Sequence, residues 1–418
     1  MYQRYELNNG IQIVTEKIPH FRSVSIGMWF KVGSVDETEK ENGLSHFIEH
    51  MLFKGTTNRT AKEIAETMDS VGGQLNAFTA KECTCFYCKV IDEHLDLALD
   101  LLADMILNST FDNMELQKEK GVIIEEIYMY EDSPEDLVHD LISSTYFGSH
   151  RLGQPILGSK ENVNRFTRDE VLAFFKRFYT PDNLVIAVAG NFNEDNLISL
   201  IEKYFGHWAK SYSEREQYNT SESNKKFAFK RKDVEQVHLC IGGPGVRLGS
   251  DKAYPVLVFN NLFGGGMSSR LFQEIREERG LAYSVFSYPS SYLNGGLFTI
   301  YAGMKPEQTI TVASLIREEI EKIKSRGISQ EEFRKAKEQL KGNYILDLES
   351  TSSRMTAIGR SQLLLKKITS PTEILNKIDN VSIDDVHNII DEILNINKFA
   401  VATVAREDWT EELKKIFN

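Results

Sequence analysis

Apolar and polar positions alternate from the start of the chain. In YELNNGIQIVTEKIP, Ile11 and Ile13 follow an Asn-Asn-Gly turn, which predicts a β-hairpin. Ser23 to Lys31 (SVSIGMWFK) reads as another strand. The period then changes: Asn42-Gly43 opens a helical segment, GLSHFIEHMLF, and a second helix from Ala61 to Val71 closes at Gly72-Gly73. Gln74 to Val90 alternates like two paired strands. Leu95, Leu99, Leu102 and Ile106 recur at helical spacing between His94 and Asn108, and a long helix is expected from Asn113 to Tyr130.

The stretch from Ser211 to Lys226 is polar and almost free of aliphatic residues, so it reads as a linker between residues 1–215 and 216–418. The two parts look like weak copies of each other. Strands, a helix and FDNMELQKEKGVIIEEI in the first part are echoed by GLAYSVFSYPSSYLNGGLFTIYAG, TITVASLIREEIEKI and ISQEEFRKAKEQLKGNYIL in the second. Such a repeat predicts an α+β fold of two similar domains, each a mostly antiparallel sheet with helices packed on one face. The second copy has no His pair, so one half alone is expected to carry a metal.

Composition narrows the function classes. The 418 residues are 41% hydrophobic and 26% charged, with a formal net charge of −12. No basic face for nucleic acid is indicated, and an acidic balance favours cationic ligands such as basic peptides. No apolar run reaches the roughly 18 residues of a membrane span, and the N-terminus has no signal-peptide pattern, so a cytoplasmic location is expected. Gly264 to Gly266 read as packing or hinge glycines, because no Lys-Ser/Thr follows as in a phosphate loop. Cys83, Cys85 and Cys88 crowd into ECTCFYCKV. Structural zinc sites use four ligands on paired loops, whereas these read as half-buried strand residues in a reducing compartment.

The chemistry concentrates in one helix. His46 and His50, four residues apart, stack on one helical face, with Glu49 beside them. Two neutral imidazoles suit zinc, and a catalytic zinc needs one further protein ligand plus an open position. His pairs also arise on helices by chance. Here, though, the neighbours are Leu44, Phe47, Ile48, Met51, Leu52 and Phe53, and a His-Glu-His cluster in such company is costly without a cation. The third ligand is sought on MELQKEKGVIIEEIYMYED. Glu119 and Glu126 share a face over two turns, Glu125 is turned about 100° from Glu126, and periodicity does not choose between the last two.

GLSHFIEHMLFKGT resembles the active-site helix of the insulinase/pitrilysin-type zinc metallopeptidases, whose inverted motif is HxxEH. The likeness runs along nearly the whole chain and is strongest to the bacterial processing-protease branch, which is related to the catalytic β subunit of the mitochondrial processing peptidase. It implies one Zn2+ per chain, held by His46, His50 and Glu126, with Glu119 supporting the site and Glu49 as general base. LNAFTAKECTCFYC resembles the family strand that pairs with substrate backbone, which implies Asn76, Ala77 and Phe78 as substrate-binding. FGGGMSSRLFQEIREERGLAYSV resembles the second-domain signature and implies that Arg276 and Tyr283 contact the substrate. HRLGQPILG and YTPDNLVIAVAGN are familial as well, whereas the three cysteines depart from the usual strand residues.

The resemblance thus implies a zinc endopeptidase acting on peptides or unfolded N-terminal segments. Members of this fold also serve as non-catalytic partners or structural subunits, which are marked by loss of the HxxEH string; here it is intact. A zinc-storage module would have no need for Glu49. By analogy with relatives that enclose substrate with four such domains, a homodimer is expected, with Arg276 and Tyr283 completing the site of the other copy.

Overall fold

The computed structural model describes residues 2–212, 218 and 226–418. Most of the polar stretch expected as a linker lies outside the described residues. The alternating segments of the first half form the strands β1 (Tyr2–Glu6), β2 (Gln12–Lys17), β3 (Ser23–Phe30), β4 (Gln74–Thr79), β5 (Thr84–Ile91) and β6 (Leu184–Gly190). They build a sheet in the order β1-β2-β6-β3-β5-β4, and its β2–β6 pair runs parallel while the other pairs are antiparallel. The helices are α1 (Leu44–Leu52), α2 (Ala61–Asp69), α3 (Leu95–Asn108), α4 (Asn113–Asp132), α5 (Pro134–Phe147), α6 (Lys160–Arg165), α7 (Arg168–Phe178) and α8 (Glu194–Phe205). Alternate residues Val24, Ile26, Met28 and Phe30 of β3 join a buried core with Phe47, Ile48 and Leu52 of α1 and Leu99 and Leu102 of α3. Each such side chain contributes roughly 1.5–3 kcal/mol when fully buried.

The second half repeats the plan with β7 (Lys226–Arg231), β8 (Val237–Pro244), β9 (Ala282–Tyr292), β10 (Gly295–Met304) and β11 (Ala400–Ala405), ordered β7-β11-β8-β10-β9. Here too one pair is parallel, β7 with β11. Its helices are α9 (Ala253–Phe263), α10 (Thr309–Arg326), α11 (Gln330–Asp347), α12 (Thr351–Leu365), α13 (Pro371–Asp379), α14 (Ile383–Ile393) and α15 (Thr410–Phe417). The fold is therefore α+β with two similar sheet-and-helix units.

The units are discontinuous in sequence, an arrangement that the contiguous division at 215/216 does not contain. One unit includes residues 346–370 and the other includes residues 128–154, so each half of the chain lends a helix to the opposite sheet. The reason lies in the second face of each sheet. On β3, the residues that point away from the core are Ser25, Gly27 and Trp29, and α12 covers them. Gly359 fits against the indole so closely that a Cβ there would lie 2.3 Å from Trp29 Nε1, and the Ser25 and Thr351 hydroxyls meet at 2.9 Å. In the other unit α5 does the same work. Its His139 Nδ1 pairs with the Tyr288 hydroxyl at 2.7 Å, and its ring lies 5.1 Å from that of Tyr301.

The position of α1 rests on a buried acid that sequence reasoning passed over. The N-cap, Gly43, has φ 104° and no side chain to cap with. Glu37 supplies the cap instead: Oε2 accepts from Gly43 N at 2.8 Å and Asn42 Nδ2 at 3.0 Å, and Oε1 accepts from Ser45 N at 2.7 Å. Burial pushes this carboxyl up to about 7 although all these donors point at it. Glycine is required at Gly43 because its φ is positive and a Cβ would meet Leu157 O at 2.9 Å. Glu37→Ala leaves these donors buried without an acceptor, at roughly 1–3 kcal/mol for each group left unsatisfied. Amide hydrogen exchange over residues 43–53 is expected to quicken at least tenfold in that variant; unchanged protection would show that α1 does not depend on the cap.

Candidate metal centre

Of the nine residues of α1, Leu44, Phe47, Ile48, Met51 and Leu52 enter the core and Ser45 is buried near the helix start, which leaves His46, Glu49 and His50 together on the remaining face. The partner helix α4 is anchored at its start. Phe111, at φ 44°, is buried, its carbonyl accepts from Arg168 Nε at 2.7 Å, and Asp112 Oδ1 accepts from the amides of Met114 and Glu115 at 2.8 and 3.1 Å. Leu116, Glu119, Ile123 and Ile127 are the buried residues of α4, so Glu119 sits within the apolar stripe and Glu126 at its margin. Glu125 is exposed.

Three donor atoms converge. Glu126 Oε2 lies 3.6 Å from His46 Nε2 and 3.4 Å from His50 Nε2, and one ligand atom from each of the three residues falls within 4.8 Å of the others. Bonds of about 2.0–2.1 Å at a tetrahedral angle place neighbouring ligand atoms roughly 3.4 Å apart, so the spacing fits a zinc-sized cation. The other ring nitrogen of His50, Nδ1, lies 3.1 Å from Glu119 Oε2, and Glu119 Oε1 accepts from Lys54 Nζ at 2.7 Å. Glu119 therefore orients His50 while Lys54 holds Glu119, which is how ligand imidazoles are commonly fixed. Lys54 was missed in the sequence, because it lies just past the end of α1, where helical spacing gives no direction for its side chain.

Charge follows from this geometry. Burial, and then the neighbouring positive charge of His50, push His46 down to about 4, so it is a neutral donor. Burial acts to lower His50 too, but its bonds to Glu119 and Glu126 outweigh it and raise the group to about 9. Glu126 is held below its ordinary value, first by its bond to His50. Glu119 stays low as well: its burial opposes ionisation, and the bonds from His50 and Lys54 overcome it.

Glu49 stands apart from the donor set. Its Oε2 accepts a 2.5 Å hydrogen bond from Thr79 Oγ1, and burial raises its carboxyl above the ordinary value. Thr79 ends β4, and β4 is an edge strand, paired with β5 on one side. Asn76, Ala77 and Phe78 thus lie on a sheet edge. Asn76 is exposed and its Oδ1 accepts from Ala77 N at 2.8 Å, while the Phe78 ring packs edge-on against Trp29 at 5.5 Å. Cys83, Cys85 and Cys88 are fully rather than half buried, with Cys88 in the core, and Cys83 precedes β5 rather than lying in it. Arg276 and Tyr283 belong to the other unit, where they meet each other: the guanidinium lies 5.3 Å from the tyrosine ring and 4.8 Å from that of Phe272. Arg276 sits on a π-helical turn, Phe272–Glu277, an unusual geometry frequent at functional sites, and Tyr283 is 75% exposed. Gly264 is a packing glycine, since a Cβ there would come within 2.4 Å of Ser287 Oγ.

A cation displaces the proton that His50 carries below pH 9. Zinc affinity is therefore expected to rise with pH, by up to about tenfold per unit from near neutrality towards 9, and to level off above it. Chelator competition across that range measures it; a flat profile would mean that His50 is already neutral in the metal-free protein.

Residues 12–160 match the family model "Insulinase (Peptidase family M16)", and residues 165–340 match "Peptidase M16 inactive domain". The fold is shared with a protease from Helicobacter pylori (TM-score 0.92, 22% identity, 97% of this chain and 99% of that one). It is also shared with a peptidase M16 inactive domain from Pseudomonas fluorescens (TM-score 0.91, 18% identity, 98% of both chains). Among curated proteins the chain is 40% identical to an uncharacterized zinc protease of Streptomyces coelicolor, covering 94% of this chain and 87% of the relative. It is 46% identical to the uncharacterized zinc protease YmxG of Bacillus subtilis, over 97% of this chain and 98% of the relative. A likeness that strong from end to end, together with an HxxEH helix whose imidazoles meet a distant glutamate, makes this chain a member of the insulinase family of peptidases, M16.

Proposed function

We propose that the chain is a zinc endopeptidase that hydrolyses peptides or unfolded N-terminal segments. The observation that carries this reading is the placing of Glu49, whose carboxylate shares a helix with His46 and His50 yet stands outside the donor set they form with Glu126. His46, His50 and Glu126 would hold zinc, and zinc bound there would supply the positive charge that acidifies water and polarises a peptide carbonyl. Glu49 is placed to take a proton from water and to return it to the leaving amine, and its raised affinity for protons suits both steps. Glu119 and Lys54 fix the His50 ring with Nε2 towards Glu126. The exposed edge of β4, at Asn76, Ala77 and Phe78, offers backbone groups to an extended peptide, which favours unfolded substrates over folded ones. The exposed Tyr283 and the adjacent Arg276 are read as donors to the charge that develops on the carbonyl oxygen of a peptide held by the other copy of the chain. A net charge of −12 inclines the enzyme towards basic peptides. A non-catalytic subunit has no use for Glu49, and the retained motif argues against that role. No helix among the described residues is long and apolar enough to cross a membrane; a cytoplasmic place of action is part of the proposal.

Glu49→Gln is expected to keep bound zinc and lose cleavage by about 10²–10⁴-fold. His46→Ala should lose zinc, and Glu126→Gln should weaken zinc far more than Glu125→Gln does. Metal analysis with a fluorogenic peptide assay tests all four variants; full turnover in Glu49→Gln, or equal zinc affinity in the two glutamate variants, sinks the respective assignment.

We further propose a homodimer in which Arg276 and Tyr283 serve the metal of the other copy. Glu49→Gln and Tyr283→Phe chains, each nearly inactive, should regain activity on mixing, because one site of the mixed dimer is intact. If subunits exchange and activity stays absent, the pair does not act across copies.

A further inference from the structure

We propose that Thr79 is a positioning residue that fixes the carboxylate of Glu49, an inference that rests on reading Glu49 as the base. The base needs it because of how freely it could otherwise turn. Glu49 extends from α1 on three rotatable bonds, and among the described residues its one hydrogen bond is the 2.5 Å contact from Thr79 Oγ1 to Oε2. A threonine hydroxyl has a single hydrogen to donate, and here it is committed to Oε2. Oε1 is thereby left as the oxygen without a protein donor, ready to take a proton.

Thr79 is well suited to hold another group still. Its side chain is β-branched and stiff at χ1. Its backbone is held from several directions. Thr79 pairs with Thr84 across the hairpin, and the turn beyond is closed by Ala80 N donating to Cys83 O at 2.8 Å. The loop before α1 clamps the same turn, with Ser34 N donating to Ala80 O at 3.3 Å and Val35 N to Lys81 O at 2.9 Å. Gly33 lies so near that a Cβ would sit 2.2 Å from Ala80 O. The opposite end of the bond is equally fixed, because α1 is capped by Glu37 from that same loop. Strand and helix thus share one rigid mount, the arrangement that precise catalytic geometry requires.

The position of Thr79 also matters. It follows directly on Asn76, Ala77 and Phe78, so the edge offered to a peptide and the hydroxyl that aims the base lie on one strand.

The test compares Thr79→Val, which keeps shape but has no donor, with Thr79→Ser, which keeps the hydroxyl, in both the wild-type and the Glu49→Gln backgrounds. In the wild type, Thr79→Val should lower kcat by about 10–100-fold with KM changed less than about twofold, as expected for a misplaced reacting group. Thr79→Ser should recover most of that loss. Bound zinc should be unchanged in every variant. In the Glu49→Gln background Thr79→Val should cost no further residual turnover and leave peptide affinity, measured by fluorescence anisotropy, unaltered. A loss confined to KM, an equal fold-loss in both backgrounds, or wild-type kcat in Thr79→Val would overturn the inference. If Glu49→Gln is inactive while Thr79→Val matches wild type, the inference alone fails. If Glu49→Gln turns over normally, the base reading fails and takes the inference with it.

Discussion

The carboxylate of Glu37 is the point from which the site is hung. A helix of nine residues is too short to stand on its own propensity. It must be held at its start and along its buried face, and its own N-cap is a glycine that cannot bond its free amides. Glu37 answers both the amides of α1 and the side chain of Asn42, and Asn42 in turn donates to Pro155 O at 2.9 Å. The loop that carries Glu37 also clamps the turn after β4. One acid therefore sets the depth and rotation of the helix bearing both imidazoles, relative to the strand edge beside it. Two further carboxylates continue this logic: Glu119 turns one imidazole, and Glu126 meets both.

Burial of the site is what makes these carboxylates matter. In water an exposed histidine and glutamate gain little from each other, whereas here desolvation and pairing pull the two histidines in opposite directions, to about 4 and about 9. Without metal, the charges of His50 and Lys54 offset those of Glu119 and Glu126, and His46 stays neutral. A divalent cation held by His46, His50 and Glu126 would take the place of the proton on His50 Nε2, while Glu119 kept its bond to Nδ1.

Much of the site was legible because its key features are local. The four-residue spacing of His46 and His50, the Asn-Asn-Gly turn and the alternation in Gln74–Val90 each express a periodicity that the backbone imposes. Glu126 and Glu125 differ by one residue, and helix geometry gives both a plausible direction. What separates them in the structure is tertiary, since Leu116, Ile123 and Ile127 decide which face of α4 is buried. Glu37, Lys54 and Thr79 were silent for a related reason: each acts through side-chain hydrogen bonds or ion pairs, and no pattern of apolar residues records them. The exchanged helices were hidden too. Nothing in TSSRMTAIGRSQLLL announces that Gly359 exists to admit the indole of Trp29.

That exchange bears on how the polypeptide acquires its shape. Ribosomes deliver the chain from its N-terminus, yet the sheet beside the metal lacks the cover of its second face until α12, residues Thr351–Leu365, has been made. Through most of synthesis the indole of Trp29 and its neighbours must wait bare, an apolar surface of the kind that chaperones hold. Closure then requires contacts more than 300 positions apart, such as Ser25 with Thr351, and such distant pairings make folding slow. The unit that carries the candidate metal centre is therefore completed only after most of the chain has been translated, although its first strands are the first to be made.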